Sequence, residues 1–225
     1  MDSIIYLLFF ISFAITLVAQ ILVSARYSKY SKILNSKGLT GFDVAKKILE
    51  KNGLGDIYVV ETKGYLSDHY DPGHNVIRLS HGVFHGESLS AAAIAAHEVG
   101  HAIQKKQGNF FMKIRSFIFP IVNFSSKFGY IAILIGLIFG YMRLFYLGIF
   151  MLFVILFFQL VTLPVEFDAS RKAMANLEKY NILLADEKRG ARKVLVAAAL
   201  TYVASLVTTL LEILRLLLVV MDNKD

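Results

Sequence analysis

Long uncharged runs alternate along this chain with shorter stretches rich in basic residues. The first run extends from Ser3 to Ala25. At about 1.5 Å per residue it can span a hydrocarbon core of about 30 Å. A second, LFYLGIFMLFVILFFQLVTLPV, occupies 144–165, and residues 116–142 just before it carry no charge except Lys127. Gly140 and Arg143 flank a tight turn, so the two runs predict a helical hairpin with spans near 117–140 and 144–163. Asn123, Ser125 and Ser126 make the start of that hairpin less lipid-like. The last run, 194–211, leads into Glu212 and Arg215, three residues apart and placed to pair across one helical turn. It predicts a fourth span.

The polar stretches have periods of their own. TGFDVAKKILEKN, 40–52, predicts a short amphipathic helix. Thr40 and Asp43 have capping-box spacing, Val44, Ile48 and Leu49 share a face, and Gly53 follows as a stop. IYVVE (57–61) and NVIRLS (75–80) predict strands, the second with Ile77 and Leu79 on one face and Val76, Arg78 and Ser80 on the other. Asp71-Pro72-Gly73 between them signals a turn. From Leu89 the chain is rich in alanine, the best helix former. Ser88 stands as its N-cap and Gly108-Asn109 as its end. LPVEFDASRKAMANLEKY, 163–180, predicts a further helix with Pro164 in its first turn; the alternative is a kink in one continuous helix.

Composition agrees with the membrane reading. The 225 residues are 56% hydrophobic and 18% charged, against about 45–50% and about 25% in soluble domains. The absence of cysteine excludes disulfides, thiolate ligands and cysteine nucleophiles. Val23-Ser24-Ala25 resembles a signal-peptide cleavage site. However, Met1-Asp2 lacks a basic n-region, and Arg26, Lys29, Lys32 and Lys37 follow the run instead. An uncleaved anchor is expected. The net charge of +7 is concentrated in 26–51, 105–115 and 171–193. With four spans these fall on one side, the cytoplasmic side by the positive-inside rule. The other side receives the N-terminus, Arg143 and the C-terminal DNKD. The expected partner of such a chain is the lipid bilayer, and no nucleic acid; a protein or peptide substrate is an expectation of the motif that follows.

The chemistry lies in AAHEVGHAIQ, 95–104. On a helix, residues four apart differ by about 40° in direction, so His97 and His101 project from one face and can share an ion. Zinc accepts imidazole nitrogens at about 2.0–2.1 Å. Glu98 lies off the ligand seam, where it can take a proton from a metal-activated water and carry it to a leaving amine. The alternative is a helix with two surface histidines. Ala91, Ala92, Ala93, Ala95, Ala96 and Ala102 argue against it, because a thin helix is easily enclosed and enclosed charge needs a partner. Gly100 leaves room for a close approach. A catalytic site needs a third ligand and an open position. No histidine follows at short range, since Gln107 and Gly108 stand there. Glu166 is the best candidate, Asp168 and Glu178 are less favoured, and Asp168 is placed to accept from a ligand imidazole. One Zn2+ is expected.

The other histidines carry less. His81 and His85 are four apart, but Gly82 and Gly86 argue against a helix there, so substrate contact or plain loop polarity is expected ahead of a second metal. His69 and His74 flank the turn. Strand 76–80 is expected at a sheet edge, able to pair with a peptide backbone, with Arg78 placed to orient a substrate carbonyl.

LSDHYDP, VIRLS, SLSAAAIAAHEVGHAIQ and LPVEFDASRKA together resemble the YugP-type membrane zinc metallopeptidases of bacteria, over nearly the whole chain. That family is similar in plan to the HtpX-type membrane peptidases. The resemblance implies His97, His101 and Glu166 as zinc ligands and Glu98 as base, with Asp168 and Arg171 near the ligands or substrate. It implies a mainly α membrane protein with about four transmembrane helices and a small α+β, zincin-like (gluzincin-type) catalytic domain at the membrane surface. The divisions expected are 1–25 anchor, 26–115 catalytic domain, 116–163 hairpin, 164–193 helix with the third ligand, and 194–225 C-terminal span. HtpX-type enzymes carry Asp four residues after the ligand Glu, where this chain has Ser170; His81 and His85 lie outside the family's pattern. The implied activity is a metalloendopeptidase of the bacterial cytoplasmic membrane. Two rivals are a membrane scaffold with a structural zinc and a transporter using Lys127, Asn123 and Gln159.

Overall fold

A computed structural model describes residues 2–222; Met1 and Asn223-Lys224-Asp225, parts of the ends expected to face outward, lie outside them. In chain order the elements are α1 Asp2–Tyr30, α2 Gly41–Lys51, β1 Tyr58–Thr62, β2 His69–Asp71, β3 Val76–Ser80, α3 His81–Phe84, α4 Leu89–Lys106, α5 Phe110–Ile138, α6 Met142–Lys179 and α7 Glu187–Asp222. Four of them, α1, α5, α6 and α7, are long and apolar enough to cross a membrane. The chain divides into two compact units. One comprises residues up to Gln20, Phe111–Pro164 and those from Thr201 onward; the other comprises Ile21–Phe110 and Val165–Leu200.

The first unit is helical. Gly140, with φ +70°, turns the chain between α5 and α6, as its position predicts. A Cβ on Gly148 would lie 2.7 Å from the Gly129 carbonyl oxygen, so small residues let the two helix backbones close up, as they commonly do where lipid surrounds the helices. Ile133, Phe145, Ile149, Leu152, Ile213, Leu216 and Val220 form its core. Gln159 donates to Thr209 Oγ1 at 3.0 Å, which ties α6 to α7. Arg215 pairs with Glu212 at 2.6 Å, the expected one-turn pair.

The second unit holds the sheet. α2 begins with the predicted reciprocal cap, Thr40 Oγ1 accepting from the Asp43 N–H and Asp43 accepting from the Thr40 N–H. It buries Val44, Ala45, Ile48 and Leu49 and packs against α4. The strand order is β1-β3-β2, with β1 parallel and β2 antiparallel to β3. Strand 76–80 is therefore central and not an edge. Val76, Ile77, Leu79 and Ser80 are all buried, because a central strand covered on both faces loses its polar side. The edge role passes to β1 and β2. The strand β2 is hidden in a turn-rich sequence, and Asp71 ends it by accepting from the N–H groups of Gly73 and His74, an Asx-type turn.

Two further elements differ from expectation. α6 runs unbroken through Pro164, although an interior proline removes one hydrogen bond and costs about 3 kcal/mol. Val161 and Val165 beside it are buried, and apolar burial of this kind opposes that loss. SHGVFHGES is not a loop: His81–Phe84 is a helical turn, and His85 at its end keeps right-handed helical geometry. The glycines serve close packing. A Cβ on Gly86 would lie 2.2 Å from the Gly82 oxygen, and one on Gly41 would lie 2.2 Å from the Val83 oxygen.

Candidate metal centre

Ser88 caps α4 by accepting from the Ala91 N–H at 3.1 Å, and the small alanines behind it are buried. The helix therefore presents His97 and His101 one turn apart, with ring centroids 4.8 Å from each other. Gly100 decides what meets them. A Cβ there would lie 2.6 Å from the Ala169 carbonyl oxygen, so only glycine admits the α6 backbone at this distance. One turn back along α6 from Ala169, Glu166 faces the histidine pair. Its Oε2 lies 3.2 Å from His97 Nε2 and 3.6 Å from His101 Nε2. One ligand atom from each of the three lies within 4.8 Å of the others.

Protein side chains face the opposite edges of both rings. Gln104 Nε2 donates to the Val165 carbonyl at 2.8 Å and to Asp168 Oδ2 at 2.9 Å. Neither partner can donate, so the amide orientation is set and Gln104 Oε1 faces His101 Nδ1 at 3.0 Å. That oxygen only accepts; His101 therefore carries its proton on Nδ1 and turns the Nε2 lone pair towards Glu166. Ser170 Oγ lies 3.2 Å from His97 Nδ1, a hydroxyl able to accept that N–H and so to support the same tautomer. Two imidazole lone pairs and a carboxylate oxygen then converge in a mostly buried space. Donor atoms so placed are close enough to share one cation. Two nitrogens and one carboxylate oxygen are a zinc-type donor set, so these residues fit the ion.

Glu98 is buried beside this group. Burial pushes its carboxyl up to about 7, and the neighbouring Glu166 and Asp68 carboxylates add to the rise, while His97 and the Tyr70 backbone partly offset it. A carboxyl poised there can take a proton and return it near neutral pH.

The remaining sequence candidates divide. Asp168 touches no imidazole. It holds Gln104, and Arg171 and Lys172 hold it in turn, at 2.5 Å and 2.9 Å. It thus acts on His101 through Gln104. Arg171 is otherwise exposed, and Glu178 pairs with Lys188. Arg78 sits mid-strand in β3, opposite Val60 and His69, and is not one of the convergent group. His69 and His74 bond locally to Ser67 and Asp71. Gln104 and Ser170 are the residues that the spacing argument missed. Both follow a candidate ligand by one turn, Gln104 three after His101 and Ser170 four after Glu166, and that interval is the signal that could have found them.

The family described as "Putative neutral zinc metallopeptidase" matches residues 5–221. The chain is 43% identical over 207 residues to the "Putative membrane protease YugP" of Bacillus subtilis (strain 168), covering 92% of each chain. No solved structure matches it.

Proposed function

The chain belongs to that zinc metallopeptidase family, and from this premise we propose that it is a membrane endopeptidase whose site is His97, His101, Glu166 and Glu98. The observation that carries the reading is the convergence of two Nε2 lone pairs on a Glu166 oxygen beside a buried, near-neutral Glu98. His97, His101 and Glu166 would hold one zinc ion, with Ser170 and Gln104 orienting the imidazoles. Bound zinc supplies Lewis acidity that makes a water easier to deprotonate and a carbonyl easier to attack. Glu98 takes the proton from the attacking water. As the C–N bond breaks, it delivers that proton to the departing amine nitrogen, so the peptide gains one water and yields an acid and an amine. Three protein ligands suit catalysis better than the scaffold alternative, because structural sites close with four.

The strand β2 is an edge of the sheet, and its Tyr70 backbone interacts with Glu98. An extended substrate adding to that edge would run past the base. The basic stretches 26–51, 105–115 and 171–193 support a site on the cytoplasmic face of a bacterial cytoplasmic membrane. Substrates would be membrane proteins or segments close to the bilayer.

The test uses the full chain purified in detergent and a mixed peptide library analysed by mass spectrometry. New internal termini should form, stop after chelation and return with zinc. A zinc-loaded protein that cuts nothing in the library or in membrane-protein extracts would remove the reading.

A further inference from the structure

A second group of two histidines and a glutamate lies on other elements. Glu61 stands near the end of β1, opposite Leu79 of β3, and its carboxylate reaches α3. His81 and His85 lie on one face of that helical turn, ring centroids 4.9 Å apart. Glu61 Oε1 is 2.7 Å from His81 Nδ1, and Oε2 is 3.1 Å from His85 Nε2. One ligand atom from each of the three lies within 4.8 Å of the others.

We propose that Glu61, His81 and His85 form a second, solvent-facing site for a divalent transition-metal ion such as Zn2+. Two imidazoles and a carboxylate suit zinc, nickel or copper, not the oxygen-preferring calcium or magnesium. The donors are set before any ion arrives. Glu61 is held by the β1–β3 pairing, and the histidines by a turn in which Gly86 closes onto the Gly82 carbonyl and Val83 packs on Gly41 of α2. Each nitrogen near Glu61 can exchange its proton for the metal, the carboxylate supplies negative charge, and water completes the shell from the exposed side. The ion would pin β1 to α3. It shares no ligand with the buried group, and the inference does not depend on the peptidase reading.

The experiment counts metal. The full chain in detergent is stripped by chelator, dialysed to equilibrium against buffered micromolar Zn2+ and measured by inductively coupled plasma mass spectrometry. Wild type should hold two ions per chain and His81→Ala/His85→Ala one fewer. Glu61→Gln, nearly isosteric, should weaken the same ion at least tenfold while circular dichroism stays unchanged. If the buried group takes no zinc, wild type holds one ion and the His81→Ala/His85→Ala protein none, which still supports this site and counts against the peptidase reading alone. A His81→Ala/His85→Ala protein that binds as many ions as wild type overturns the proposal.

Discussion

The two histidine–glutamate groups use the same letters at the same spacing in opposite surroundings. In the buried group the side chains of His97, His101 and Glu166 are 14%, 9% and 3% exposed. In the outer group His81, His85 and Glu61 are 78%, 55% and 43% exposed. Among the described residues, only the buried histidines of these two groups have protein partners on their far nitrogens: Ser170 for His97, and Gln104 for His101. The outer imidazoles turn their near nitrogens to Glu61 and settle as hydrogen-bonded pairs, holding its carboxyl below its usual range. Spacing makes a pair of histidines able to bind a metal. Burial and partners on the far nitrogens orient the inner pair towards a shared ion.

The sharpest way to break this contrast is to remove a buried ligand. His101→Ala or Glu166→Ala should abolish chelator-resistant zinc and reduce peptide cleavage by about a thousandfold or more. The equivalent change in the outer group, His81→Ala, should leave both unchanged. Loosening the far nitrogens comes next. Gln104→Leu and Ser170→Ala should each weaken buried zinc by about 10–100-fold, read by competition with a chelator. Gly100→Ala tests the approach of α6. Alanine favours a helix by about 1 kcal/mol, but a Cβ 2.6 Å from a backbone oxygen forces the helices apart at about 1–3 kcal/mol. The clash should win, lowering thermal stability and zinc affinity together. The smallest effect is on pH. In metal-free protein the folded state holds the Glu98 proton up to about 7, against 4.5 for an unburied carboxyl. That contribution is full below pH 4.5 and fades as pH rises through about 7. The midpoint of chelated wild type should drop over that window, and Glu98→Gln should lessen the drop.

The parts of this site that depend on local spacing are legible in the sequence. His97, Glu98 and His101 follow from helix geometry, the Ser88 cap and the alanines around them. Glu166 is harder, because 69 residues separate it from His97. It is found by asking which carboxylate follows a span that returns the chain. Other features depend on contacts that no local pattern carries. The strand β2 is three residues of HYD inside a turn-rich stretch, and without it β3 reads as an edge. Gly82 and Gly86 read as helix breakers because their packing against each other and near α2 is invisible from the letters. Asp168 is expected to accept from an imidazole, but it reaches His101 only through Gln104, whose amide could equally have faced solvent.

The central claim is that zinc binding and catalysis part company at Glu98. The direct measurement is made on Glu98→Gln in the His81→Ala/His85→Ala background, where only the buried site remains, with zinc content and cleavage read from one preparation. The account predicts one zinc per chain, as in the parent, and cleavage lower by at least about a hundredfold. Cleavage at the parental rate with zinc in place would contradict it.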